Sequence, residues 1–151
     1  MGKTITVKIK KLKAFTTNSQ IPFYASSGAA GADLYAYLEK DLVIKPGERV
    51  KVPTGIAIEL PGPEVVALIF ARSGLSLKGL ALSNGVGVID SDYRGEIIVP
   101  MTNFSQEEIT IKNGDRIAQM LITGVYRASF VEVTELTSTA RNQSGFGSTG
   151  L

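Results

Sequence analysis

Five short stretches of this sequence set a charged or amide side chain among glycines and hydroxyls, the surroundings in which a backbone can approach a polar ligand closely. In Ala30-Gly31-Ala32-Asp33-Leu34-Tyr35-Ala36 a single carboxylate stands between a glycine and an apolar strand start. It is either a turn aspartate or an edge carboxylate able to address a metal ion directly or through water. Arg72-Ser73-Gly74 follows an apolar run, so a guanidinium, a hydroxyl and backbone N–H groups could converge on an anion, or Ser73 could simply cap a short helix. The segment from Asn84 to Ile97 reads as two strands joined by a polar turn, with Gly85 and Gly87 on the first arm and Asp90 beside Tyr93 past its end. A base next to a stacking ring and an ordinary turn carboxylate both fit that pattern. Gln119 is a lone amide in the apolar run Ile117 to Ile122, and if buried it needs a partner from a ligand or from the backbone. Its neighbours Asp115 and Arg116 read as structural.

The fifth stretch, Arg141 to Gly150, has the composition of a flexible tail. It nevertheless carries the parts of a lid: Phe146 framed by Gly145 and Gly147, preceded by Arg141 and followed by Ser148 and Thr149, which is a ring to stack and donors for a phosphate.

The residues that are missing narrow the chemistry further. The 151 residues contain neither cysteine nor histidine, which rules out a disulfide framework, a thiol nucleophile, a thiolate or imidazole metal site and a Ser-His triad. A general base must then be a carboxylate, Lys, Tyr or a terminal amine, and a metal must be a hard cation on oxygen ligands. The formal net charge of +2 is too small to argue for a nucleic-acid surface. No apolar stretch has the length of a membrane span, and Met1-Gly2-Lys3-Thr4 leads directly into alternating residues, so an intracellular, cytoplasmic protein is expected.

The elements that must hold these groups are strands. Ile5, Val7 and Ile9, then Ile56, Ile58 and Leu60, then Val131 and Val133, alternate with other residues as half-buried strands do. Val65 to Phe70 and Ile97 to Val99 are continuous and rich in β-branched residues, as expected of strands covered on both faces. Turns are expected at Lys45-Pro46-Gly47-Glu48, Pro61-Gly62-Pro63, Asp90-Ser91-Asp92-Tyr93 and Lys112-Asn113-Gly114-Asp115, and one short helix at Arg72 to Gly79 with Gly79 as its stop. With 44% hydrophobic and 20% charged residues, this is the pattern of one all-β domain, a sandwich, jelly roll or barrel.

In this order, the segments AGADLYA, RSGLSLKG, NGVGVIDSDYRGEI, GDRIAQMLI and RNQSGFGSTG resemble the motifs of the trimeric dUTPase family, from Ala30 to Gly150. The resemblance implies a jelly-roll-like domain over residues 1–140, a substrate-closing tail over 141–151, and a homotrimer whose active sites are shared between subunits. It implies hydrolysis of dUTP to dUMP and pyrophosphate with Mg²⁺. Asp90 would be the base that activates water for attack on the α-phosphorus, and Asp33 would reach the metal through its water shell. Arg72, Ser73, Gly74 and Gln119 would position the phosphates. Asn84, Gly87 and Ile89 would read the uracil edge, and Tyr93 would pack under the deoxyribose. From the tail, Phe146 would stack on the base, while Arg141, Gly147, Ser148 and Thr149 would close over the phosphates. Two alternatives stand beside this: an enzyme resembling the dCTP deaminases of the same superfamily, and a nucleotide-binding regulatory protein with this fold. Neither nucleic acid nor membrane is an expected partner.

Overall fold

A computed structural model describes residues 4–12 and 21–145. Eleven strands and one short helix are present among them, in the order β1 Lys8–Lys11, β2 Ala32–Tyr35, β3 Leu42–Ile44, β4 Arg49–Pro53, β5 Ile56–Glu59, β6 Val65–Ala71, α1 Ser73–Leu77, β7 Leu80–Leu82, β8 Gly87–Ile89, β9 Ile98–Asn103, β10 Ile109–Ile111 and β11 Arg116–Gly124. Every strand pairing is antiparallel. The largest sheet runs β2-β11-β6-β8, a second runs β4-β9-β7, and β1-β5 and β3-β10 form two-stranded ribbons. The expected all-β class is what the chain adopts.

Side-chain alternation explains where the core sits. Leu34, Ala118, Met120, Ala67 and Ile69 project from one face of the four-stranded sheet and meet Val52, Ile97, Val99, Met101, Ile111 and Leu80 from the other elements. Burying such aliphatic side chains removes apolar area from water at about 25 cal/mol per Å², the largest force in favour of the fold. One fully buried amide, Asn103, ties the ribbon to the second sheet. Its Nδ2 donates to the Ile44 and Glu107 carbonyls at 2.9 and 2.7 Å, and its Oδ1 accepts from the backbone N–H and the hydroxyl of Ser105.

The expected turns form. Glu48 N–H donates to the Lys45 carbonyl with Gly47 at φ +74°, and Asp115 N–H donates to the Lys112 carbonyl with Gly114 at φ +86°. Gly79 ends the helix at φ +91°, where a Cβ would also press to 2.9 Å from the backbone nitrogen of Ser105.

Three expectations need correction. Ile98 is 43% exposed between fully buried Ile97 and Val99, so that strand is covered on one face only, as befits an antiparallel sheet. The arms on either side of Asp90 do not form a hairpin with each other: β8 pairs with β6, and β9 pairs with β4 and β7. Val131 and Val133 lie in no strand. Every residue from 124 to 145 is exposed, including Tyr126, Phe130, Val131 and Leu136, because no strand among the described residues pairs with that segment.

Candidate active site

The outer face of the four-stranded sheet carries the first group of polar residues. Gln119 pairs with Asp33 on one side and with Phe70 on the other, so Asp33, Gln119 and Phe70 share a face, and Arg72 continues that face two residues past Phe70. Arg116 joins them through a bulge. Ala118 opposes Leu34, but Arg116, not Ile117, opposes Tyr35; the inserted Ile117 turns into the core, and Arg116 falls on the face of Asp33.

Asp33 is the centre of this group. Its side chain is 3% exposed, with Oδ1 3.2 Å from Arg72 Nε and Oδ2 3.2 Å from Arg116 Nη1. The Arg116 contact is a hydrogen bond, whereas the Arg72 Nε contact has the distance of an ion pair without hydrogen-bond alignment. Arg72 is held a second time, by Nη1 donating to the Arg116 carbonyl at 3.2 Å. Two guanidinium groups around one carboxylate leave one net positive charge at this end of the sheet.

Ser73 and Gly74 follow at the start of α1, both exposed. The N-cap is Arg72, with no side-chain cap bond, so Ser73 is the first helical residue and its hydroxyl is not serving as the cap. Gly31 lies against Gln119: a Cβ there would come within 3.2 Å of Gln119 Cβ and 3.7 Å of its Oε1.

The second group lies at the far end of β6. Gly87 and Ile89 oppose Ile69 and Ala67, and Gly87 permits that approach, since a Cβ would meet Ile69 Cβ at 3.0 Å and the Asn84 amide at 3.7 Å. Asp90 follows as the strand ends, exposed and without an ion pair or side-chain hydrogen bond among the described residues. It lines an open cleft of about 510 Å³ with Val66, Val88 and Arg127, and a smaller one of about 180 Å³ with Tyr93, Glu96 and Ile98. Tyr93 donates from its hydroxyl to the Glu96 carbonyl at 2.9 Å, folding its ring over Gly95, where any Cβ would collide with it.

Residues 17–150 match the dUTPase family model. The chain belongs to the dUTPase family. A deoxyuridine 5'-triphosphate nucleotidohydrolase of Desulfitobacterium hafniense is 56% identical over 133 residues, covering 87% of this chain and 88% of its own. Among solved structures, a variant dUTPase of Staphylococcus bacteriophage 80alpha with dUpNHpp superposes with a TM-score of 0.84 at 25% identity, over 98% of this chain and 100% of that one. A dUTPase variant from phage phi11 of S. aureus, which coordinates a structural Mg(II) ion, shares the fold at 22% identity with a TM-score of 0.76, over 88% of this chain and 99% of that one.

Within one chain of this dUTPase-family protein, the motif residues fall into two separate groups. Asp33, Arg72, Ser73, Gly74 and Gln119 gather at one end of the sheet. Asn84, Gly87, Ile89, Asp90 and Tyr93 follow the β8 arm. Ile89 opposes Ala67, and Arg72 lies five residues farther along the same β6 path, ~17 Å away at the rise of an extended strand. Arg141 stands on the exposed segment, its Nε donating to the Ser144 carbonyl at 2.8 Å. Phe146, Gly147, Ser148 and Thr149 lie outside the described residues. Arg116, read from the sequence as structural, holds Asp33, but the partner was not legible, because the bulge that brings the two together leaves no local mark in the pattern.

No group of three acidic side chains that could cage a metal occurs among the described residues, and no helix among them is long and apolar enough to cross a membrane.

Proposed function

We propose that this chain hydrolyses dUTP to dUMP and pyrophosphate, working inside the cell as a homotrimer whose active sites are completed between subunits. The observation that carries the reading is the setting of Asp90: an exposed carboxylate at the end of a glycine-flanked arm, beside Tyr93 and in no salt bridge among the described residues. Such a group can accept a proton from water as it attacks the α-phosphorus in line, and the pyrophosphate leaves from the opposite side. The relatives named for deoxyuridine triphosphate hydrolysis supply the substrate.

Asp90 and Arg72 of one chain are too far apart to serve one phosphorus, which supports the pairing of the Asp90 arm of one subunit with the Arg72 end of another. The exposed run from 124 to 145 supports it too, because Tyr126, Phe130, Val131 and Leu136 are covered by nothing among the described residues, and a neighbouring subunit would supply the missing surface. Arg72, Ser73, Gly74 and Gln119 then orient the phosphates. The Asn84 to Ile89 arm reads uracil, Tyr93 packs under the sugar, and Arg141, Phe146, Gly147, Ser148 and Thr149 close the site and exclude water.

The residues present fit Mg²⁺ held mainly by substrate phosphates and water, the usual arrangement for this ion on a polyphosphate. Asp33 is the carboxylate that would address it through water, since its acceptor capacity exceeds its two guanidinium contacts. The bound ion would neutralise charge developing on the triphosphate.

Purified protein incubated separately with dUTP and dCTP tests the assignment. Pyrophosphate release from dUTP alone is expected; ammonia from dCTP without pyrophosphate from dUTP would reassign the chain to the deaminase branch.

A further inference from the structure

Resting on the dUTP-hydrolysing reading, we propose that Arg116 is a positioning residue: through the buried Asp33 carboxylate it fixes the direction in which Arg72 presents its guanidinium to a phosphate. Arg72 is anchored twice, and both anchors lead to Arg116. Nε faces Asp33 Oδ1, whose second oxygen is held by Arg116 Nη1, and Nη1 donates to the Arg116 carbonyl. A guanidinium carries five N–H donors. The carbonyl bond occupies one Nη1 hydrogen, and Nε faces the Asp33 carboxylate as an ion pair without hydrogen-bond alignment, leaving Nη2 and the other Nη1 hydrogen for an anion.

Electrostatics explains why a second arginine is needed. A carboxylate this deeply buried, paired with Arg72 alone, would neutralise the charge meant for the phosphate. With Arg116 sharing it, the group keeps one net positive charge while Asp33 remains fully compensated. The bulge at Ile117 is the backbone device that makes the arrangement possible, because in regular register Arg116 would project from the opposite face. Arg116 itself is half exposed, so its contribution is directional and acts through Arg72.

A double-mutant cycle between Arg116→Gln and Arg72→Gln, read as KM and kcat for dUTP with thermal melting and oligomer mass measured alongside, tests this. Arg116→Gln is expected to raise KM on the order of tenfold with kcat changed much less. The same change introduced into Arg72→Gln should alter KM less than about twofold, because the group it positions is gone. Losses that multiply independently, or an unchanged KM in the single variant, would overturn the proposal. Should Arg116→Gln fail to fold, Arg116→Lys, which keeps the charge on Asp33, replaces it in the same cycle. It is expected to give a smaller rise in KM that again vanishes on the Arg72→Gln background, and a rise that persists there overturns the proposal. A wild-type protein that releases no pyrophosphate from dUTP would instead remove the functional reading on which the inference rests.

Discussion

Asp33 and Asp90 stand on or beside the same four-stranded sheet, and their surroundings are opposite. Asp33 is buried and bound to two arginines across three segments of the chain, whereas Asp90 is exposed at a strand end and makes no salt bridge among the described residues. One carboxylate is tied to two guanidinium groups of its own chain. The other, on the proposed reading, accepts a proton from the attacking water. Identical side chains thus take different roles from burial and partners alone, and single substitutions can separate the two.

The largest effect should follow Asp90→Asn. Removing a general base costs about 10²- to 10⁴-fold in turnover, while dUTP binding and the melting temperature should stay near wild type, since Asp90 makes no ion pair to lose. Pyrophosphate release and calorimetry on the same preparation check this, and normal turnover would remove Asp90 as the base. Truncation before Arg141 should come next: a folded protein with hydrolysis reduced about tenfold or more from the lost stacking of Phe146 alone. Unaltered kinetics would end the role of the tail.

Asp33→Asn should behave in the other direction from Asp90→Asn. Losing the buried anion leaves two partly exposed cations facing each other, a cost of about 2 kcal/mol after allowing for their access to water, visible as a lower urea midpoint. A stability equal to wild type would erase the contrast between the two aspartates. Gly31→Ala probes the same end more gently. Its Cβ would press on Gln119, so a several-fold rise in KM with little change in melting is expected.

The smallest effect belongs to the surface pair Lys8–Glu59, 2.7 Å apart. The Lys8 ammonium hydrogen-bonds Glu59 and, with Arg94 nearby, holds its carboxyl below its ordinary 4.5. A lowered folded pKa means that the stabilisation is present above the unfolded value and is lost as pH falls through the folded one. Lys8→Ala should therefore lower the neutral plateau slightly and leave stability below both pKa values unmoved, which flattens the acid limb between them; a pH series of urea midpoints checks it.

Much of this was legible in the sequence because its causes are local. Lys112-Asn113-Gly114-Asp115 forms its turn through a glycine at positive φ and a side-chain bond from Lys112 N–H to Asp115, both set by adjacent residues. Gly79 stops α1 for the same kind of reason. What the pattern hid depends on distant partners. Val131 and Val133 alternate like a strand, yet a strand needs a neighbour, and the described residues offer none. Ile98 looks two-sided in sequence because its apolar neighbours say nothing about which face the sheet leaves open. Arg116 reaches Asp33 only because one residue is inserted opposite Tyr35. The resemblance implied a site shared between subunits, and the register of β6 with β8 is what holds Asp90 and Arg72 apart within a single chain.

A site shared between subunits rests on that separation, and mixed oligomers test it directly. Asp90→Asn and Arg72→Gln proteins, each expected to be strongly impaired but measurable, would be unfolded, mixed in equal amounts and refolded, and pyrophosphate release from dUTP measured. If each site takes Asp90 from one subunit and Arg72 from another, random assembly restores both groups in about a quarter of sites, and activity returns to roughly that fraction of wild type. No recovery in mixed oligomers of the native mass would mean that both groups act from the same chain, which contradicts the shared site.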